Sequence, residues 1–138
     1  MINASLPNGA RLYTDHAHPE YSTPECLSAR SALACDKAGE IILGEGLQLI
    51  GDTLPGTRIT LYKNNTDNHG HSYGCHENYL MAAEAHEDIL IDHPQKAQKA
   101  LIPFLVSRQI FTGSGRVGGR KASHTTSPYQ VSQRADYM

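Results

Sequence analysis

The sequence contains no tryptophan and only two phenylalanines, and its hydrophobic residues make up 39% of 138. Such a chain has the length of one ordinary domain but little bulky apolar material for a large core. No hydrophobic run approaches the length needed to cross a bilayer. No basic stretch followed by an apolar one stands at the N-terminus, so a secretory leader is not expected, and a cytoplasmic location is. Basic surplus is also missing. The formal net charge is -2, which argues against general nucleic-acid binding through released phosphate counterions. The basic residues from Arg116 to Lys121 read as a solvated loop. Cys26, Cys35 and Cys75 form no C-x-x-C pair and are odd in number, as expected of three reduced thiols. Walker and G-x-S-x-G patterns are absent, and the loose glycine pattern from Gly113 to Gly118 follows a helix-like segment rather than a strand.

What is present alternates between strand-like and helix-like segments. Gly9 to Asp15 reads as a strand entered from a Pro7-Asn8-Gly9 turn, with Arg11, Tyr13 and Asp15 on one face and Leu12 and Thr14 on the other. A short extended piece follows Pro19 through Tyr21. A helix is expected from about Ser22 to Pro24, where Ser22 and Glu25 have capping-box spacing. Its apolar positions are Ala34, Ala38, Ile41, Ile42 and Leu49. Gly39, Gly44 and Gly46 weaken it by roughly 1 kcal/mol each, so it needs tertiary packing. Leu54 to Thr57 reads as a Pro-Gly turn. Arg58 to Lys63 and Ser72 to Met81 read as an antiparallel strand pair around a polar turn from Asn64 to Gly70. Pro94 to Phe111 is helical in pattern, with Ala97, Leu101, Leu105 and the Arg108 stem on one stripe, and Pro103 bending it or marking its start. Gly113 to Ser127 is flexible in composition, and Tyr129 to Tyr137 reads as a last strand.

Two blocks carry chemistry. From Arg11 to Ser22, a guanidinium, a phenol and a carboxylate share one strand face, and Glu20 follows on the next extended piece. Carboxylates with a phenolic oxygen suit a divalent cation, and an arginine beside them suits phosphate oxygens. The alternative is a polar sheet face at a domain surface. In the second block, from Lys63 to Tyr79, His76 and Asn78 alternate onto one face while Glu77 points away. His76 as a ligand and Asn78 as a hydrogen-bond partner is one reading, and ordinary surface polarity is the other. His69 and His71 stand on a glycine-bearing turn and read as solvated. Gly74 permits close approach of a backbone or ligand. Cys75 and His76 are strand neighbours that point apart, so they are no thiol–imidazole pair.

Asn8 to Tyr13 with Asp15 to Ser22, then Leu61 to Asn65, Ser72 to Met81, Phe104 to Phe111 and Ser132 to Tyr137, resemble in order the blocks of the Pup ligase/deamidase family. The Asp15-His16-Ala17-His18 form and the Arg134-Ala135-Asp136-Tyr137 ending resemble the Pup deamidase/depupylase branch. The ligase branch has one residue more between its aspartate and glutamate. The resemblance implies an α/β (α+β) fold, a partial glutamine-synthetase-like (carboxylate-amine ligase) sheet packed with helices. It implies an ATP- and Mg-dependent amidase that hydrolyses the C-terminal Gln amide of Pup and the Pup–lysine isopeptide bond, in the Pup-proteasome pathway. Its partners would be Pup and pupylated proteins, with no membrane or nucleic acid.

Residue by residue, Asp15 matches the catalytic aspartate, as nucleophile or as base for water. Tyr13, Glu20 and His76 match metal positions, and Arg11, Ser22, Thr23 and Asn78 match positions near the nucleotide. The family's Gly-x-Glu-x-Glu-Tyr-Gly strand and its long C-terminal part have no counterpart here. Residues 1–138 are therefore expected to be a central fragment of the catalytic domain that calls for a complementary segment. An inactive binding module and the ligase reaction on the same scaffold are the rival readings.

Overall fold

The computed structural model describes residues 3–67, 69, 71–117 and 129–134. It divides into two compact units, Met1–Leu61 and Tyr62–Met138.

The first unit is a three-stranded antiparallel sheet followed by a long helix. Strands β1 (Asn3–Ser5), β2 (Arg11–Asp15) and β3 (His18–Ser22) lie in that order. The expected turn before β2 is present: Gly9 has φ 83°, a conformation glycine adopts freely, and the Asn8 side chain accepts from the Ala10 N–H at 3.0 Å. Strand β1 was not foreseen. Asn3-Ala4-Ser5 has no apolar alternation, yet its backbone pairs with β2 in the register Asn3↔Tyr13 and Ser5↔Arg11. The piece after Pro19 is a full strand, pairing Arg11↔Ser22, Tyr13↔Glu20 and Asp15↔His18.

Helix α1 runs over Ala29–Thr53, not from Ser22 to Pro24. Ser22 closes β3, and a residue before proline, as Thr23 is, disfavours helical ψ. The operative cap is Ser28, whose side chain accepts from the Ser31 N–H while the Ser31 hydroxyl accepts from the Ser28 N–H. Gly39 is the buried residue of the helix, and a Cβ there would stand 2.6 Å from the Tyr21 ring. The glycine thus lets the helix approach β3. At Gly44 and Gly46 a Cβ would meet nothing within 4 Å. Gly39→Ala is therefore expected to loosen α1 by about 1–3 kcal/mol through overpacking, whereas Gly44→Ala should tighten it by up to ~1 kcal/mol through propensity. Amide hydrogen exchange in α1 reads both, and the same sign for the two variants would contradict this packing. Of the predicted stripe, Ala38 and Ile42 are half-buried, whereas Ile41 and Leu49 are 62% and 67% exposed, because α1 meets the sheet around Gly39. The Pro55-Gly56 turn forms as expected, with Gly56 at φ 86° and the Thr57 N–H bonded to the Leu54 carbonyl at 3.1 Å.

The expected strands over 58–63 and 72–81 are not formed. The antiparallel relation survives only at the tip, as the Thr66↔Ser72 bridge and the Tyr73 N–H to Asn65 carbonyl bond of 2.9 Å. Alternation marks an extended chain, but a strand also needs a paired backbone, and the flanking residues have no ladder. A helical run unforeseen at its start follows: α2 (Ala83–His86), a π-helical stretch Glu87–Asp92, α3 (Pro94–Lys96), a second π stretch Ala97–Leu101, α4 (Ile102–Ser107) and α5 (Gln109–Thr112). Pro103 stands in the first turn of α4, where its missing N–H is tolerated.

Two short strands, β4 (Arg116–Val117) and β5 (Tyr129–Gln130), pair antiparallel. Arg116 is therefore not part of a solvated loop. It is 6% exposed and donates to the Gln130 side chain. The last strand is two residues long rather than reaching Tyr137. The remaining basic cluster and the rest of the expected flexible stretch lie outside the described residues, as do positions 135–138. Among the described residues, Ala10 is the buried apolar one, and no helix among them is long and apolar enough to cross a membrane.

Candidate functional site

The register of the β2–β3 hairpin arranges the first block. Residues directly opposite on an antiparallel pair share a face, so Arg11, Tyr13 and Asp15 stand beside Ser22, Glu20 and His18. The Tyr13 phenol donates to Glu20 Oε2 at 2.7 Å, and the Ser22 hydroxyl lies 3.5 Å from the same phenolic oxygen. Arg11 crosses the Tyr13 ring at 5.5 Å from its centroid and donates to Asn3 Oδ1 at 3.1 Å. The strand face inferred from alternation is thus a continuous polar surface that pairs hard oxygen donors with a guanidinium.

Asp15 ends β2 with its side chain 52% exposed, and Oδ1 lies 2.8 Å from His16 Nδ1. The turn that follows has two residues, His16 at φ 46° and Ala17 at φ 66°. Both are left-handed, as a tight hairpin requires, yet neither is glycine or asparagine. No sequence signal pointed to this. Thr23 follows β3 and is exposed.

His76 and Asn78 belong to the second unit, on an exposed extended stretch. Their odd-numbered neighbours turn toward the helices. Glu77 Oε2 accepts from Arg108 Nη1 at 2.6 Å and from the Tyr79 hydroxyl, and the Arg108 guanidinium stands 6.0 Å from the Phe104 ring centroid. Glu77 is thus engaged by Arg108 and Tyr79. Its partner Arg108 was read only as an apolar stem; the parity of Glu77 and Tyr79 was the available signal. Arg108 first, then Tyr79, holds the Glu77 carboxyl below its ordinary value of 4.5. The Glu77 carboxylate in turn pushes the Tyr79 phenol up.

A lowered folded value means that the pair stabilises the native chain above pH 4.5, and that this contribution fades as pH falls through the lowered value. Arg108→Met is expected to return the Glu77 carboxyl toward 4.5, read by NMR titration of the side-chain carboxyl carbon. An unmoved titration would mean that the ion pair does not form.

The turn histidines differ from expectation in one respect. Asp67 Oδ1 accepts from the backbone N–H groups of His69 and His71, and Oδ2 pairs with the His71 ring at 2.7 Å. His71 is thus bound to its own turn, and its contact lowers the Asp67 carboxyl. No cluster of three metal-binding His, Cys, Asp or Glu side chains occurs among the described residues. All three cysteines are free, and burial followed by a hydrogen bond with Cys26 raises the Cys35 thiol.

The chain mixes helices and sheets, and its fold is part of a glutamine-synthetase-like one, as a structural match shows. A solved structure of the Pup ligase PafA in complex with ADP matches it with a TM-score of 0.72 at 35% identity, over 97% of this chain and 29% of that one. The family model described as Pup-ligase protein matches residues 1–138, and the chain belongs to that family.

Among curated relatives, the depupylase of Acidothermus cellulolyticus is 52% identical over 138 residues. The Pup deamidase/depupylase of Mycolicibacterium smegmatis is 46% identical over 136 residues. The Pup–protein ligase of Nocardioides sp. is 45% identical over 142 aligned positions. All or 99% of this chain is covered in each case, and the chain spans 26%, 26% and 29% of the respective relatives.

Proposed function

We propose that residues 1–138 form the central part of the catalytic domain of a Pup deamidase/depupylase. The observation that carries this is the β2–β3 face, where Arg11, Tyr13, Asp15, Glu20 and Ser22 stand together in one register. The alignments favour the amidase over the ligase. The depupylase of Acidothermus cellulolyticus aligns over 138 positions, the length of this chain, whereas the Nocardioides ligase needs 142 and so carries gaps against it. The reaction is hydrolysis of a side-chain amide. Water adds across the carbonyl–nitrogen bond of the C-terminal Gln of Pup to give Glu and ammonia, or across the Pup–lysine bond to give Glu and the free lysine amine.

Asp15 is the carboxylate at the reacting carbon, whether it attacks that carbon or takes the proton of an attacking water. Glu20, Tyr13 and Ser22 bring oxygen donors within hydrogen-bonding reach of one another, a set that suits magnesium. By the family resemblance, Tyr13 and Glu20 on the hairpin are assigned to the metal and Arg11, Ser22 and Thr23 to the nucleotide; His76 and Asn78 are assigned to the metal and the nucleotide on the same ground. A bound Mg ion beside the nucleotide would supply positive charge to stabilise negative charge that develops in amide cleavage. Arg11, planar and permanently charged, is suited to phosphate oxygens. The setting is the cytoplasm, where Pup conjugates are the substrates.

The test uses a full-length enzyme carrying this segment. Glu20→Gln and His76→Ala are each expected to weaken Mg–nucleotide binding by about tenfold or more in calorimetric titration, since each removes a ligand or its support. His69→Ala and His71→Ala should leave it within about twofold, as residues outside the ligand set. Titrations in which the turn histidines matter and Glu20 does not would contradict the assignment.

A further inference from the structure

The two-residue turn after Asp15 is built from residues that do not favour its conformation. His16 at φ 46° and Ala17 at φ 66° both occupy the left-handed region, which is unfavourable for residues bearing a Cβ. Packing does not hold the His16 ring there, because its side chain is 88% exposed. The ring contacts Asp15, from Nδ1 to Oδ1 at 2.8 Å. A pair this exposed adds little to stability. A left-handed turn made of residues that bear a Cβ, adjacent to a candidate catalytic group, is the pattern of a turn kept for what it positions. With Nδ1–H donating to Oδ1, the ring restrains rotation of the carboxylate and leaves Oδ2 as the oxygen not engaged by it.

We infer that His16 is a positioning residue for Asp15, presented by the left-handed turn so that its ring fixes the carboxylate for attack or proton abstraction at the amide. This rests on the assignment of Asp15 in the proposed function.

The experiment is steady-state cleavage of a Pup conjugate by the full-length enzyme carrying this segment, with thermal unfolding of each variant. Glycine accepts the conformation of His16 without strain, so His16→Gly removes the ring and spares the turn. It is expected to lower kcat about tenfold through loss of orientation, with KM within about twofold and Tm no lower than that of the parent. Added imidazole should restore part of kcat. Ala17→Gly relieves the turn without touching the ring, and should raise Tm while leaving kcat unchanged.

His16→Gly with parental kcat overturns the inference. So does a loss of kcat that follows a fall in Tm and does not respond to imidazole. Asp15→Asn run beside it separates the two ideas. Parental turnover by Asp15→Asn sinks the proposed function, whereas an inactive Asp15→Asn beside a fully active His16→Gly removes only the positioning role.

Discussion

Asp15→Asn, introduced into a full-length enzyme that carries this segment, is expected to lower amide cleavage by about 10²–10⁴-fold, the range of a lost acid–base or nucleophilic group. The substitution keeps shape and removes charge and basicity, so it disables Asp15 as nucleophile and as base alike. Asp15 stands at the end of β2, outside the hydrogen-bonded group of Tyr13, Glu20 and Ser22. Nucleotide affinity should therefore stay near the parental value. The side chain is also half-exposed and holds no buried partner whose loss would unfold the sheet. A fall in kcat with unchanged nucleotide binding and unchanged Tm is the signature sought. Turnover close to the parent's would remove Asp15 from the chemistry.

The 138-residue chain purified by itself is expected to unfold without a sharp cooperative transition, to bind a hydrophobic dye such as ANS and to self-associate. Leu33, Ile41 and Leu49 on α1, and Ile102, Val106 and Phe111 on the later helices, are all more than half exposed. Burying such a side chain yields about 1.5–3 kcal/mol. Six left in water forgo roughly 10 kcal/mol, comparable with the whole stability of an ordinary domain, about 5–15 kcal/mol. Cleavage by the isolated chain should be undetectable, and supplying complementary segments of the catalytic domain should sharpen the transition. A cooperative monomeric transition with measurable cleavage would show that these surfaces need no cover.

What was legible in the sequence is what local periodicity controls. Alternation over Arg11 to Asp15 gave the correct face, and the Pro7-Asn8-Gly9 and Pro55-Gly56 turns formed where their residues demand. Pairing was not legible. Asn3 to Ser5 joins the sheet through its backbone with no apolar signal, whereas Arg58 to Lys63 alternates convincingly and forms no strand. The start of α1 was misread because two capping patterns compete, Ser22 with Glu25 and Ser28 with Ser31, and only the strand register of Ser22 decides between them. Arg116 shows the limit of composition: a residue counted with a basic run is buried in a two-residue strand. The left-handed turn at His16 and Ala17 was invisible for a related reason, since its usual residues, glycine and asparagine, are absent there.

The central claim is the direction of the chemistry at Asp15, cleavage of a Pup amide rather than its formation. The most direct measurement incubates the full-length enzyme carrying this segment with ATP, Mg and two substrates in separate reactions. One is a Pup–lysine conjugate, and the other is free Pup ending in Glu together with an acceptor protein, each followed by intact-protein mass spectrometry. The account predicts that the conjugate disappears into free Pup and unmodified protein, that Asp15→Asn stops this, and that the second mixture gains no conjugate. Accumulation of conjugate in the second mixture, with the first left intact, would contradict it and assign this segment to a ligase.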